Sequence, residues 1–469
     1  METKLKLSVF NIPVGKDNEA LRGLYNSSTG NYLAFSEDLK GMYNRLLRAE
    51  LITPAEAGLF YTAGFAVASD LDEFRSVRYA FELTRKRRSA PQLTIAPTLA
   101  CNFGCAYCFE DHVRGLMERE VQDGLINFVK EVMIQPEDTL SVSWFGGEPL
   151  MGMPVIRRLT KAFRGLVSDS RVAGITFHII TNGLLLRREV AKELLELGVS
   201  RLQITIDGPR RLHDKRRILK ANGGATFDAI VKNIGDLPED FQVVVRVNVD
   251  RQNKDHLDGL FAELEELGLL KKVTVNIARV EDFSGRVESS PSLLSSMEFA
   301  ALEVEWIMKA QAKGWPLHVS KPSPRLTGVC QVDSVNSFVV GPTGELFKCW
   351  AELGNNGHVV GHLLKPETWK QLSPTRLTER DPFDDTECRS CVVLPLCMGC
   401  CPLIRQNNRE LQRKVCPPFK HNYPEILRLQ FGDETKIVNY VQPNIPGAEQ
   451  GVAALLHHTG HGAPASAGN

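Results

Sequence analysis

Cys101-Asn102-Phe103-Gly104-Cys105-Ala106-Tyr107-Cys108 decides how this chain is read: three thiols spaced x3 and x2, following the apolar run Leu93 to Ala96. Three cysteines this close together can hold three irons of a cubane iron-sulfur cluster and leave the fourth iron without a protein ligand. A fourth cysteine would fill every metal position, as in an electron carrier or a closed tetrahedral zinc knuckle. Three thiols instead invite an outside ligand, and the eight residues taken alone also admit zinc.

The chain around this stretch has 469 residues, more than a single core accommodates, so two or three domains are expected. With 43% apolar and 24% charged residues, most of it should be globular. Its 56 basic residues balance 56 acidic ones, which gives no support for nucleic-acid binding or electrostatic attachment to a membrane. The basic run Arg85-Lys86-Arg87-Arg88 fits the end of a helix beginning near Asp72, where it complements the helix dipole. Met1 to Val14 does not read as a signal peptide, and no segment reaches the roughly 18 continuous apolar residues of a membrane span. A cytoplasmic protein is expected. Eleven cysteines in a reducing compartment are poor disulfide candidates and good metal ligands.

Four segments follow from the patterning. Residues 1–90 hold strand-like Leu5 to Val9, a hairpin signal of Leu24-Tyr25 and Tyr32 to Phe35 around Asn26 to Gly30, and a helix at Asp38 to Glu50. Strand-like Phe65 to Val67 and a helix at Leu71 to Arg88 complete it. This suggests a winged-helix-like module; an N-terminal elaboration of the next domain fits equally well. Residues 91–319 alternate strand and helix, with strands at Leu93 to Ala96, Leu140 to Trp144, Ile175 to Ile180, Leu202 to Ile206, Val243 to Val249 and Val273 to Ile277. Helices include Met117 to Met133, with Val121, Leu125, Val129 and Val132 on one stripe, and Arg188 to Leu197. Such alternation specifies an α/β fold with a parallel sheet, and six strands are too few to close a TIM barrel. A partial (β/α)6 barrel, laterally open to a large substrate, is expected. Residues 320–432 are irregular and hold the other eight cysteines. Residues 433–469, rich in Gly, Ala and Ser, read as a flexible tail, and His457, His458 and His461 as part of that tail rather than a metal site.

In barrels of this kind ligands collect at the C-terminal ends of the strands. Gly146-Gly147-Glu148-Pro149 follows the second strand; its glycines let backbone come close and its acid can pair with an ammonium, although an isolated tetrapeptide of this kind can also be just a turn. Thr181-Asn182-Gly183 ends the third strand. Thr205-Ile206-Asp207-Gly208-Pro209 ends the fourth, with His213-Asp214 and Arg217 beyond it. Arginine suits a carboxylate through its planar fork. For Asp207 and His213-Asp214, helix capping and turn chemistry are the competing reading.

The thiol spacing, with Tyr107 before the last cysteine, resembles the radical S-adenosylmethionine (SAM) superfamily. The resemblance implies a 4Fe-4S cluster on Cys101, Cys105 and Cys108 whose open iron chelates SAM, which one electron cleaves to a 5'-deoxyadenosyl radical. It further implies that Gly146, Gly147 and Glu148 bind the SAM amino group and that Thr205 and Arg217 contact the carboxylate, while the polar side chains of Thr181-Asn182-Gly183, Asn182 among them, could hold the ribose hydroxyls. With Tyr107 these make up the implied cofactor site.

A second set, Cys388-x2-Cys391-x5-Cys397-x3-Cys401, preceded by Gly344-x4-Cys349 and followed by Cys416, is similar to the SPASM extension of radical SAM enzymes acting on peptides and proteins. It implies two auxiliary 4Fe-4S clusters, an outer one on Cys388, Cys391, Cys397 and Cys416 and an inner one on Cys330, Cys349 and Cys401. Cys400 can supply a fourth inner ligand, replace Cys401, or be a buried free thiol; an inner cluster with one open iron is the reading adopted. The resemblance runs from about Ala90 to Gly432 and implies a radical SAM/SPASM maturase that installs a thioether or carbon-carbon crosslink in a ribosomally synthesised precursor peptide. Its electrons would come from a flavodoxin or ferredoxin-type reductant. Rival readings are an anaerobic sulfatase-maturating enzyme, whose radical motif usually lies nearer the N-terminus, and a non-catalytic zinc-binding scaffold. No side chain stands out as a general base.

Overall fold

The computed structural model describes residues 4–15, 21–86, 90–281, 283, 292–320, 322–325, 330–371, 381–410 and 416–431. The expected tail, with its three histidines, and Arg87 and Arg88 of the basic run lie outside the described residues.

All six barrel strands form where their alternating apolar residues require. The N-terminal segment contributes β1 (Leu5–Leu7), β2 (Asn11–Val14), β3 (Gly23–Asn26), β4 (Tyr32–Ala34) and β5 (Ala66–Ala68). The barrel follows as β6 (Gln92–Ile95), β7 (Thr139–Trp144), β8 (Gly174–Thr181), β9 (Val199–Thr205), β10 (Gln242–Val249) and β11 (Val273–Arg279). These six pair parallel in chain order, with Leu93 opposite Val142, Val142 opposite Phe177 and Val245 opposite Val275. Among the described residues the sheet does not close on itself. Beside β6 lies β12 (Ser337–Val340), also parallel, and then β13 (Glu345–Phe347) and β14 (Gly361–His362), both antiparallel. The cysteine-rich segment, expected to be irregular, thus extends the barrel sheet. Its strands are too short for periodicity to show them.

Helices cover the sheet with apolar stripes at helical spacing, as in Met153–Ser168, which buries Val155, Ile156, Leu159, Phe163 and Leu166. The expected helix from Met117 begins at Arg119 and passes at Val129–Met133 into a π-helical turn. That turn carries an extra residue, so the stripe slips by one position: Met133 is buried where Val132 was expected.

In the N-terminal segment β1 pairs with β5, and β2, β3 and β4 form an antiparallel sheet whose β3–β4 hairpin matches expectation. Asn26 Oδ1 accepts from Ser28 N and Thr29 N at 3.0 and 3.1 Å, which sets the turn. Leu5, Leu24, Leu33, Leu46, Phe60 and Phe65 make its core. Its other face is covered by the cysteine-rich segment. Ile12, Val14, Tyr25 and Tyr32 pack on Val393, Leu396 and Leu427, and Phe10, Val77 and Phe81 on Phe383, Leu394 and Met398. Arg78–Asp381 at 2.7 Å and Arg85–Asp333 at 3.1 Å rim this junction. Among the described residues no helix is long and apolar enough to cross a membrane.

Candidate active site

The thiol loop is held from both sides. Phe103 is fully buried and bridges to Leu219, Gly104 N donates to Ile218 O at 2.9 Å, and Lys220 N donates to Asn102 O at 2.8 Å. On the other side the end of β7 presses against the loop. A Cβ on Gly146, whose φ is +90°, would stand 2.5 Å from Thr98 O, and one on Gly147 2.3 Å from Ala100 O. These glycines therefore permit a backbone approach that no side chain tolerates, and Glu148 N donates to Ala100 O at 2.9 Å within it.

Cys101, Cys105 and Cys108 open together onto a cavity of about 510 Å³ at the C-terminal strand ends. Tyr107, Gly146, Gly147, Asn182, Thr205 and Arg217 stand on the same wall, so six of the seven expected cofactor residues converge with the thiols. Sequence reasoning missed Gln203, Arg246 and Asn248, which also line it. The signal was available: Arg246 and Asn248 alternate with buried valines on β10, and parallel strands covered on both faces are normally apolar throughout.

Glu148 is the exception. Its side chain is fully buried behind the wall, where Oε1 accepts from Thr181 Oγ1 at 2.7 Å and Leu150 N at 3.0 Å, and Oε2 from Asn182 N at 2.8 Å. The carboxylate ties the end of β7 to the end of β8. Burial raises its pKa, while the donors from Asn182, Thr181 and Leu150 lower it. Asn182 extends this tie, donating from Nδ2 to Asn102 Oδ1 in the thiol loop at 2.7 Å.

A buried charge network organises the other side. The Tyr107 hydroxyl donates to Asp207 Oδ2 and accepts from Arg217 Nη1, Arg217 lies 3.6 Å from Asp207, and Asn248 N donates to Asp207 Oδ1 at 3.0 Å. Burial opposes the Arg217 charge, but Tyr107, Cys105 and Asp207 outweigh it and hold its pKa above the ordinary value. Arg217 Nε has no hydrogen-bond partner among the described residues, which leaves a donor for a ligand carboxylate. Asp207 is thus a buried counter-charge rather than a cap. His213 Nδ1 accepts from Asp207 N at 3.3 Å, and Nε2 meets Thr226 Oγ1 at 3.1 Å. Burial, then the Arg217 charge, pushes the His213 pKa down to about 3, so its ring is neutral at pH 7. Asp214 follows the capping reading, accepting from Thr226 N and Phe227 N at 2.8 Å where helix Phe227–Gly235 begins.

Burial pushes the Cys101 thiol up to about 11 and that of Cys108 to about 12. Such thiols are protonated at neutral pH unless a metal's charge holds them as thiolates. The open thiols, the unmatched Arg217 donor and the cavity's size fit a cluster with a nucleoside-bearing ligand beside it. Glu110, also on the wall, is raised to about 7 by burial and by the Glu148 charge.

Farther along the chain, Cys330, Cys349 and Cys401 pack together with Val332 and Leu403. Cys388 and Cys391 pack beside Phe383 and Leu394, Lys420 Nζ donates to Cys391 Sγ at 3.1 Å, and the Cys391 and Cys416 thiols support the Lys420 charge. Cys397 Sγ accepts from Cys400 N at 3.1 Å. Cys400 sits in the left-handed region, φ +75°, and burial pushes its thiol up to about 12. Among the described residues no three His, Cys, Asp or Glu side chains converge on a single metal-ion position. The residues after two of these thiols, Gln331 and Trp350, line the thiol-loop cavity. Trp350 packs its ring 5.5 Å from Phe109 and 5.6 Å from Phe145.

Residues 95–264 match the family model described as the Radical SAM superfamily. Among curated relatives, the Fe-coproporphyrin III synthase of Methanosarcina barkeri is 28% identical over 231 residues, covering 47% of this chain and 53% of the relative. The radical SAM cyclopropyl synthase TigE of Paramaledivibacter caminithermalis is 24% identical over 326 residues, 60% of this chain and 66% of the relative. The chain thus spans about half to two thirds of the length of these relatives. Among solved structures, Streptococcus suis SuiB bound to its precursor peptide SuiA superposes with a TM-score of 0.52 at 13% identity, covering 88% of this chain and 98% of that one. That likeness is one of fold.

Proposed function

We propose, from the match of residues 95–264 to the Radical SAM superfamily model, that this protein is a SAM-cleaving enzyme that crosslinks a ribosomally synthesised precursor peptide through a thioether or carbon-carbon bond. The observation that carries the proposal is the opening of Cys101, Cys105 and Cys108 onto one cavity that also receives Tyr107, Thr205 and Arg217. Cys101, Cys105 and Cys108 would hold the cluster, which with SAM would supply hydrogen-atom abstraction from the substrate, and the later cysteines would hold auxiliary clusters able to accept an electron. Arg217, charged and with Nε unmatched, holds the carboxylate end of the cofactor. Thr205 and Asn182 offer polar groups to the rest of it. Glu148 acts behind the wall, fixing the strand ends against the thiol loop rather than offering its carboxylate to the ammonium. Trp350, Phe109 and Phe145 wall the cavity with apolar rings that keep water from the reacting carbon.

In this reading residues 91–319 are the catalytic barrel and 320–432 a SPASM domain holding two auxiliary 4Fe-4S clusters. Cys388, Cys391, Cys397 and Cys416 serve the outer one and Cys330, Cys349 and Cys401 the inner one, with an iron left open. Residues 1–90 form a winged-helix-like recognition module that pairs an extended leader with an edge strand of the β2–β3–β4 sheet, and 433–469 a flexible tail. A flavodoxin or ferredoxin-type protein in the cytoplasm supplies electrons. The peptide named with SuiB supports a peptide substrate, and the ring named in TigE supports ring-forming chemistry. The identity to the Fe-coproporphyrin III synthase favours a second reading, action on a tetrapyrrole.

Mass spectrometry after anaerobic coexpression with any short peptide found encoded beside its gene tests the proposal. Loss of two hydrogens from the peptide is expected. An unmodified peptide, together with turnover of an iron coproporphyrin by the reconstituted protein, would favour the second reading.

A further inference from the structure

Besides Arg217 Nε, two buried polar atoms of residues lining the cavity have no hydrogen-bond partner among the described residues, one an acceptor and one a donor: Glu110 Oε2 and Gln331 Nε2. Buried polar groups in folded proteins are nearly always matched, so an unmatched pair on residues that line one cavity asks for a ligand that supplies both halves. The two come from distant parts of the chain. Glu110 follows Cys108 by two residues and Gln331 directly follows Cys330, and the Phe109–Trp350 contact at 5.5 Å joins the two regions between them. An ammonium would match Glu110 alone, a carboxylate would match Gln331 alone, and the amino-acid end of SAM is assigned in the reading above to the open iron and Arg217. A peptide bond matches both, because its carbonyl accepts and its N–H donates, and in the trans form they point in opposite directions. The neighbouring rings of Phe109, Phe145 and Trp350 then face the side chain of the residue so held.

We infer that Glu110 and Gln331 bind the backbone amide of the substrate residue that is presented to the radical, Gln331 Nε2 donating to its carbonyl and Glu110 Oε2 accepting from its N–H. This rests on the peptide reading given above. It makes these two side chains, rather than the cofactor residues, the groups that hold the backbone of the presented residue in place. Part of the site is supplied by the segment that carries the auxiliary cysteines, so substrate is gripped only when that segment is docked on the barrel.

The test uses the reconstituted full-length enzyme and a synthetic form of the precursor peptide identified by that coexpression, made with its native amide and with an ester replacing the N–H at the modified residue. The ester form should raise the peptide KM of the wild-type enzyme roughly 5- to 10-fold. Glu110→Leu should raise the KM for the amide form by a similar factor and lose the distinction between the two forms, whereas Glu110→Gln, which keeps an acceptor oxygen, should restore most of it. Gln331→Leu, remote from the thiol loop, should raise the KM for both forms; it decides the matter if Glu110→Leu fails to load iron. A wild-type enzyme that cleaves SAM but leaves the peptide unmodified overturns the peptide reading itself. A wild type that modifies amide and ester forms with equal KM overturns the clamp alone. So do variants that raise the KM for SAM and not for the peptide.

Discussion

Replacing Gly147 by Ala asks whether the thiol loop is held by backbone contact with the end of β7. Gly147 does not have a left-handed φ, so alanine brings no torsional conflict, only a methyl group 2.3 Å from Ala100 O and 2.5 Å from Leu99 O. Ordinary contact begins near 3.4 Å, so the loop one residue before Cys101 must retreat by about 1 Å. Overpacking of this kind costs about 1–3 kcal/mol, which lowers the first unfolding transition by roughly 2–10 °C. The larger effect falls on the metal, because three ligands must stay in register on one cube. Iron and sulfide analysis after anaerobic reconstitution should show a deficit of about four irons per chain, with 5'-deoxyadenosine formation lost in proportion. Gly165→Ala is the control: it sits within helix Met153–Ser168 with nothing within 4 Å of its added methyl, and should stabilise by about 0.5–1 kcal/mol. A Gly147→Ala protein with wild-type melting, full iron and full cleavage would refute the argument.

Two further outcomes follow from the buried network. The His213 pKa lies below its unfolded value, so the unfolded chain binds more protons and this residue's contribution is complete above about pH 6.5 and is lost as pH falls toward 3, with a slope of at most about 1.4 kcal/mol per pH unit. Urea melts at pH 7.5, 6.5 and 5.5 should show that decline in the wild type and a flatter profile in His213→Gln; identical profiles would remove His213 from the account. Arg216 pairs with Asp250 at 2.9 Å with both side chains buried, so Arg216→Leu should cost about 3–5 kcal/mol by leaving Asp250 unpaired. Adding Asp250→Leu should recover much of that loss in thermal melts, and additive losses would contradict the pairing.

The barrel was legible because its strands alternate strongly and its thiols and glycine-rich turn lie at strand ends, where ligands bind in this architecture. The role of Glu148 was not, because its donors, Thr181 and the Asn182 amide, come from the next strand. Arg246 and Asn248 were visible as a two-residue period within valines but carry no local motif. Gln331 and Trp350 reach the cavity only through the docking of a distant segment, which spacing along the chain does not encode. The face that Ile12, Val14 and Tyr25 bury against Val393 and Leu396 was hidden for the same reason. The stripe ending at Met133 rather than Val132 reflects a π-helical turn, a backbone choice that apolar periodicity assumes away.

The most direct measurement is electron-nuclear double resonance on the anaerobically reconstituted, reduced protein with SAM labelled with nitrogen-15 at the amino group and oxygen-17 at the carboxylate. The account predicts hyperfine coupling of both labels to one iron of the cluster on Cys101, Cys105 and Cys108, and its disappearance when these three are replaced by Ala. A fully loaded cluster that shows no coupling to either label would contradict it.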